Sequence, residues 1–422
     1  MPDWTISADG LDPVPARQLA ALAYPPLTRR ASRHRTYLLT GSAQPQLAAC
    51  AQTALRAGHR IVLLPGTSGG NPVSAPGGTL LRAAGQAASA APMTGIRVRD
   101  GWDVAMFSSG STTGSPRGYG FTIAQLDVVT SWYQAIYQVT PDSIIVTSLP
   151  AAYNFTFVAG VLLAARLGAR LHLSAGSHRV LDDAASLASS ADRLIVLANP
   201  VILDQAGPAA ALPASVLVDS GGAPLSITGI SDFRARGVDV REGYGLTETA
   251  SLTHFDSEAT AASLGTVGTA MPGVHATVTA RDGKPVIELS GPATGVPLDP
   301  GEALPAGSLR TTDLGASDGH GRVRLLGRTD DEQISGLWPR DTLDALGPLL
   351  GRRCALVRHQ HGRATVRLLT AVTPATAAAL RARAADLLGT TPEDVTITVH
   401  GAAPLLHSAK ITRHAAASEM LP

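Results

Sequence analysis

The feature that most constrains this chain is the stretch from Val104 to Gly118. Four apolar residues, Val104 to Phe107, open into Ser108-Ser109-Gly110-Ser111-Thr112-Thr113-Gly114-Ser115, and a Pro116-Arg117-Gly118 corner closes the loop. Glycine lets the backbone turn sharply and come close to a ligand. Successive backbone N–H groups, hydroxyls and one cation make a cradle for phosphate oxygens. A flexible Gly/Ser linker has a similar composition. A linker, however, needs no apolar strand before it, no Pro-Arg-Gly exit and no helical stretch after it. The loop also lacks the Gly-Lys ending of the other common nucleotide loop.

Around this loop the chain alternates strand-like and helix-like segments. Thr36 to Leu39, a helix from Gln46 to Ala57 and Ile61 to Leu64 read as a βαβ unit. Thr122 to Val139 reads as a helix. Further strands follow at Ile144 to Leu149, Arg170 to Ser174, Arg193 to Ala198, Val216 to Asp219 and Val238 to Arg241, with a helix from Val158 to Leu167. The alternation predicts a large α/β domain of mainly parallel sheets, with the informative loops at strand ends. From Val274 the pattern changes to short β segments with turns, which predicts a small distorted β-barrel or meander. The remainder alternates strands with a helix from Pro374 to Leu388 and reads as a small α+β unit. The expected division is a core domain over residues 1–329 and a mobile lid over residues 330–422.

Bulk properties narrow the function. The 422 residues suffice for two or three domains, and 45% hydrophobic with 16% charged residues fits globular cores. A net charge of +1 and 4% aromatic residues give no basis for nucleic-acid or anionic-membrane binding. Cys50 and Cys354 fit neither a metal spacing nor a disulfide framework, which points to the cytosol. No signal peptide or membrane-length apolar run is read.

Five more segments carry chemistry. In Gly243-Tyr244-Gly245-Leu246-Thr247-Glu248, a Tyr ring can stack on a purine, a Thr hydroxyl can bond a phosphate oxygen and a Glu can hold Mg2+. Gly221-Gly222-Ala223-Pro224 is a glycine-rich strand exit. Asp313 carries a carboxylate able to accept from two neighbouring hydroxyls. Gly327-Arg328-Thr329-Asp330-Asp331 and Pro404 through Lys410 to Arg413 complete the set. Taken singly, each also fits a bland role: a turn, a capping Thr or a solvated charge.

In this order, over Phe107 to Arg413, the segments resemble the adenylate-forming superfamily of acyl-CoA synthetases, adenylation domains and luciferases. Its phosphate loop reads Ser-Gly-Ser/Thr-Thr-Gly-x-Pro-Lys-Gly. Here the loop is one residue longer, and Arg117 stands for the Lys. The resemblance implies that Ser109, Gly110, Ser111, Thr112, Thr113 and Gly114 hold phosphates. It places Gly222, Ala223, Tyr244 and Gly245 on the adenine, and Asp313 and Arg328 on the ribose. It makes Asp330 the hinge and Glu248 the Mg2+ ligand. Lys410, with Thr247, Glu248 and Arg117, would act on the reacting phosphate. Ala409 stands where the family has Gly.

The implied reaction joins a small carboxylic acid to the α-phosphate of ATP, releasing pyrophosphate. The acyl group then passes to coenzyme A or to the phosphopantetheine of a carrier protein. Tyr153, Asn154 and Gly221 are the expected acid-binding residues. Pro150-Ala151-Ala152-Tyr153-Asn154-Phe155 resembles the aryl-acid members most, which suggests an aryl, hydroxylated or aminated acid. The N-terminal region before the phosphate loop and the segment Gln333 to Pro339 are both shorter than in the family. The second contraction bears on the thiol path, so an amine acceptor and a nucleotide-binding homologue without turnover stand as alternatives.

Overall fold

A computed structural model describes residues 4–8, 11–23, 36–40, 45–63, 78–84, 87–93, 101–108, 117–206, 212–213, 215–299, 308–351, 353–399 and 419–420. Its centre is a nine-stranded sheet. Six adjacent strands, Thr5–Ala8, Arg170–Leu173, Ile144–Thr147, Leu194–Ala198, Val216–Gly221 and Asp239–Tyr244, run parallel. Antiparallel strands Leu11–Pro15 on one side and His254–Phe255 then Thr269–Ala270 on the other close the edges. The Leu-Ile-Val-Leu-Ala strand at 194–198 is buried at every position, as a parallel strand covered on both faces must be.

A seven-stranded sheet holds the βαβ unit read from the sequence. Thr36–Thr40 and Arg60–Leu63 pair in parallel, joined by the helix Pro45–Arg56. Val104–Phe107 adds beside Arg60–Leu63, and Gly118–Phe121 pairs antiparallel to Val104–Phe107. The helix Ile123–Tyr137 then begins with a reciprocal cap. Thr122 Oγ1 accepts from the Gln125 amide at 3.3 Å, and Gln125 Oε1 accepts from the Thr122 amide at 3.0 Å. Leu126, Val129, Tyr133 and Tyr137 recur at helical spacing and face the core.

Two features differ from the sequence reading. The segment from His275 to Arg328 takes the meander form, and the barrel half of that expectation is not met. It is an open antiparallel sheet of four strands, His275–Arg281, Lys284–Ser290, Ser308–Ser317 and Val323–Arg328, and its end strands do not pair with each other. One face needs no closure, because Ile287, Leu289, Leu309 and Val323 bury it against Tyr244 and Val267. The helix after Asn154 starts as a π-helical stretch, Thr156–Leu162, before the α-helical Leu163–Leu167. Wide turns of this kind occur often at functional sites.

Beyond Ile334 the chain buries a separate cluster. Helices Pro339–Leu350 and Pro374–Leu388 cover the sheet of Ala355–Gln360, Arg363–Leu368, Val395–Val399 and Glu419–Met420. Asp344 accepts from the Ile227 amide at 3.0 Å, tying the first of these helices to the central sheet's flank. Buried Arg340 lies 3.8 Å from buried Glu242 of the Asp239–Tyr244 strand and 2.9 Å from Asp344. Removing one partner of such a pair strands the other charge. Arg340→Leu is therefore expected to destabilise the protein by about 3–5 kcal/mol, read as a lowered midpoint in urea unfolding.

Candidate active site

One cavity is lined by Gly222, Ala223, Tyr244, Gly245, Asp313 and Arg328, residues from four separate segments. Parallel strands bring the first two segments together. Val216–Gly221 and Asp239–Tyr244 are in register, Gly221 beside Gly243, so both glycine-rich exits leave the same end of the sheet. Gly222 has φ +85°, a left-handed turn that suits a residue without Cβ. Gly245 meets a harder limit: a Cβ there would stand 1.9 Å from the Ser251 carbonyl oxygen.

The four-stranded sheet delivers the other two. Asp313 and Arg328 are paired across its last two strands. Arg328 Nη1 lies 3.0 Å from Asp313 Oδ1, and the Tyr244 hydroxyl donates to Asp313 Oδ2 at 2.9 Å. Asp313 is thus held from two sides, with its carboxylate at the cavity wall. Arg328 also bonds the Thr312 hydroxyl. Burial, reinforced by Asp313, pushes the Tyr244 phenol well above its usual range, so the ring acts as a neutral donor.

Thr247 and Glu248 follow in a short 3₁₀ turn, both half-buried. Burial raises the Glu248 carboxyl, Asp313 adds to the rise, and Arg328 and a hydrogen bond from Tyr119 oppose it. Tyr119 belongs to the strand that leaves the phosphate loop, so Glu248 sits beside that loop's exit. The base of the loop is closed by a Ser108–Arg117 pair: the Ser108 amide donates to the Arg117 carbonyl at 2.8 Å, and the Arg117 amide donates to Ser108 Oγ at 3.0 Å. The Arg117 residue is exposed. Ser109, Gly110, Ser111, Thr112, Thr113, Gly114 and Lys410 lie outside the described residues.

A fit for Mg2+ rests on Glu248. Among the described residues no group of three or more His, Cys, Asp or Glu could hold a metal unaided. One carboxylate at the phosphate-loop exit suits an ion that brings several of its ligands as waters and substrate phosphates.

At the expected hinge, Asp330 is gripped by Arg358 at 2.6 Å, from the sheet beyond Ile334. Fully buried Asp331 accepts from the Arg328 amide at 2.9 Å. Lys284 donates to the carbonyls of Thr329 and Asp331, both at 2.7 Å. Tyr153 and Asn154 stand together at the entry to the π-helical turn, half-buried. Asn154 Oδ1 accepts from the Phe155 amide at 3.0 Å. Gly221 faces the Phe155 ring, 3.4 Å from where a Cβ would sit. None of these three residues lines the cavity around Tyr244, nor does Asp330.

Sequence reasoning passed over Glu242, Arg340 and Asp219. Glu242 lines the cavity, and its Oε1 accepts from the Leu225 amide at 3.1 Å. Burial pushes Glu242 up to about 7, against the pull of Arg340. Asp219 is buried and receives the Tyr137 hydroxyl at 2.5 Å; burial raises its carboxyl to about 7. Asp219 stands at the end of the apolar strand Val216–Gly221, where a carboxylate conflicts with burial, and that conflict was the available signal.

Comparisons with known proteins give the family and the fold. The AMP-binding enzyme model matches residues 81–302, more than half of the chain, and the protein belongs to that family, part of the adenylate-forming superfamily. No curated protein sequence matches it. Among solved structures, ATP-bound MatB from Rhodopseudomonas palustris is similar with a TM-score of 0.71 and 18% identity, over 94% of this chain and 92% of that one. o-Succinylbenzoate CoA synthetase (MenE) from Bacillus subtilis, in complex with the acyl-adenylate intermediate OSB-AMP, gives 0.72 and 17%, over 99% and 96%. The amide bond synthetase McbA from Marinactinospora thermotolerans gives 0.69 and 18%, over 97% and 95%. At such identities the likeness is one of fold.

Two outcomes follow. Gly245→Ala is expected to remove nucleotide binding and lower the melting temperature, since the methyl group has no room; isothermal titration with ATP and a thermal melt check it. The raised Asp219 carboxyl means the folded state keeps a proton that the unfolded chain has lost. Its stability contribution is complete below about pH 4 and disappears as pH rises towards 7, at up to about 1.4 kcal/mol per pH unit. Asp219→Asn should flatten that part of the stability–pH profile, measured by urea unfolding from pH 4 to 8.

Proposed function

We propose that the protein activates a small carboxylic acid with ATP, forming an acyl-adenylate, and then passes the acyl group to an acceptor. The observation that carries this reading is the Tyr244–Asp313–Arg328 constellation, set beside Gly222 and Ala223 around one cavity. A carboxylate held by a phenol and a guanidinium is oriented to accept from two vicinal hydroxyls of a ribose. The Tyr244 ring and the Gly222-Ala223 backbone would then flank the adenine.

In the first step a carboxylate oxygen of the acid attacks the α-phosphorus, the α–β bridging bond breaks, and pyrophosphate leaves with the bonding pair. The chain's part is positioning and charge stabilisation. Thr247 and the hydroxyls and amides of residues 109–114 would hold phosphate oxygens. Arg117 would face the departing phosphates, and Lys410 would bridge the acid's carboxylate and the α-phosphate. Glu248 would hold Mg2+, which neutralises phosphate charge when bound. In the second step a nucleophile attacks the acyl carbon and AMP leaves. Residues 1–329 would form the core and residues 330–422 a lid that turns about Asp330 between the steps.

Coenzyme A or a carrier-protein pantetheine is the first-choice acceptor. ATP-bound MatB and the ATP–magnesium complex of MenE support nucleotide and metal use. A second reading, an amine acceptor, has its own observation. The contracted segment after the hinge is a two-residue turn, Ser335 at φ 52° and Gly336 at φ 79°, closed by Ile334–Leu337 hydrogen bonds of 3.1 and 3.0 Å. It runs straight into the helix at Pro339, leaving no long loop beside a thiol path. The likeness to McbA, an amide bond synthetase, favours the same reading.

Acid-dependent exchange of labelled pyrophosphate into ATP tests the first step. Asp313→Ala should reduce kcat/KM for ATP about 10- to 100-fold, chiefly through KM, as loss of hydrogen bonds to a charged group does. Lys410→Ala should lower exchange through kcat. Product analysis should give AMP and pyrophosphate; ADP would overturn the reading in favour of a kinase or simple ATPase. Supplying coenzyme A or simple amines to the exchanging enzyme distinguishes the acceptors.

A further inference from the structure

Three carboxylates and two guanidiniums meet where the helix Pro339–Leu350 rests on the strands beneath it. Arg324 Nη1 lies 2.8 Å from Asp341 Oδ1, and its Nη2 lies 3.1 Å from Asp344 Oδ2. Arg340 Nε lies 2.9 Å from the same Asp344 oxygen. Glu242 comes last. Its Oε2 stands 3.8 Å from Arg340 Nη2, beyond hydrogen-bond reach, and neither atom has a hydrogen-bond partner. The other charged groups beside Glu242, Asp256 and its partner Arg234, pair with each other at 2.9 Å. Among the described residues the cluster thus holds one acid more than its guanidiniums can match, and the distances mark Glu242 as the surplus one.

Glu242 and Arg340 are each 3% exposed, so water cannot screen a surplus charge there. A buried carboxyl in that position takes up a proton instead. Burial is the largest influence and pushes Glu242 up to about 7, against the pull of Arg340 and the Leu225 amide; Asp344 and Asp256 add to the rise. The cluster also straddles the joint between residues 1–329, which supply Glu242 and Arg324, and residues 330–422, which supply Arg340, Asp341 and Asp344. A second contact crosses the same joint. Asp204 accepts from the Cys354 amide at 3.2 Å and from the Thr370 hydroxyl at 3.4 Å, and buried Cys354 packs with Val201 and Leu369.

We infer that Glu242 is the proton-binding element of a latch: its protonated form lets Arg340 and the helix that carries it seat on the core, and loss of the proton loosens the seat. The inference rests on the lid motion proposed above and not on the acid-activation chemistry. With the lid seated the carboxyl is raised; with the lid away it returns towards its ordinary value of 4.5. The seated state therefore keeps a proton that the open state has lost. Seating is fully favoured below about pH 4.5 and weakens as pH rises through about 7.

The thiol of Cys354 reports the seat, and Cys50, buried in the large core cluster, reports global unfolding. The full-length protein is treated with N-ethylmaleimide from about pH 5.5 to 8, and each site is read by peptide mass spectrometry. Dividing by the rate in the urea-unfolded chain at the same pH removes the effect of thiol ionisation. Relative labelling of Cys354 should rise about tenfold or more across this range, with Cys50 well below it. Glu242→Gln, neutral throughout, should keep Cys354 at its acid-side protection over the whole range. Asp341→Asn, which leaves two acids for two guanidiniums, should move the wild-type midpoint to lower pH, and it decides should Glu242→Gln not fold.

Cys354 labelled more readily than Cys50 but equally at every pH overturns the latch and leaves the lid standing. A Glu242→Gln variant with the wild-type profile, or an unmoved midpoint in Asp341→Asn, does the same. Cys354 labelled only as fast as Cys50 overturns lid and latch together. Acid activation is untouched by any of these results, since pyrophosphate exchange tests it separately.

Discussion

The in-register parallel pairing of Val216–Gly221 with Asp239–Tyr244 is the constraint on which the site depends. Because the two strands end together, Gly222-Ala223 and Tyr244-Gly245 emerge at one height. Because side chains alternate, one face presents Glu242 and Tyr244 to the cavity while the other presents Asp219 and Gly221 to the aromatic cluster. A slip of one residue would exchange these faces. The exact fit of Gly245 under the Ser251 carbonyl, 1.9 Å from a would-be Cβ, leaves no slack for such a slip.

Around this pair the rest of the molecule supplies partners. The four-stranded sheet is joined to it by the Tyr244–Asp313 hydrogen bond and by burial of Ile287 and Leu289. The helix after the phosphate loop sends Tyr133 and Tyr137 to one face. The helix Pro339–Leu350 sends Arg340 to the other, where it meets Glu242. Two buried acids on neighbouring strands, Asp219 and Glu242, are thereby balanced by different means, a phenol in one case and a guanidinium in the other.

The motif residues were legible because their chemistry requires rare combinations. Glycines in series, a Tyr-Gly-x-Thr-Glu run and an Arg with paired Asp residues stand out in any context. The parallel strands Ile144–Thr147, Leu194–Ala198 and Val216–Gly221 were legible through their apolar runs. The strand Thr5–Ala8 was hidden, since a four-residue segment gains its order from pairing with Arg170–Leu173, far away in sequence. Barrel and meander both stayed open in the sequence because alternation reveals a buried face without telling what covers it. Arg340 and Asp219 escaped notice because each acts through a distant partner. The resemblance drew Asn154 into the acid site, and its carbonyl accepts from the next residue's amide.

The ammonium of Lys284 has a consequence for motion. It bonds the carbonyls of Thr329 and Asp331, on both sides of Asp330, from the strand Lys284–Ser290 of the four-stranded sheet. Any torsional change at Asp330 must tear at least one of those bonds or drag the lysine along its flexible stem. Were the lid proposed above to turn about Asp330, this half-buried side chain would act as a detent, and the swing would wait on the breaking of one of its two bonds.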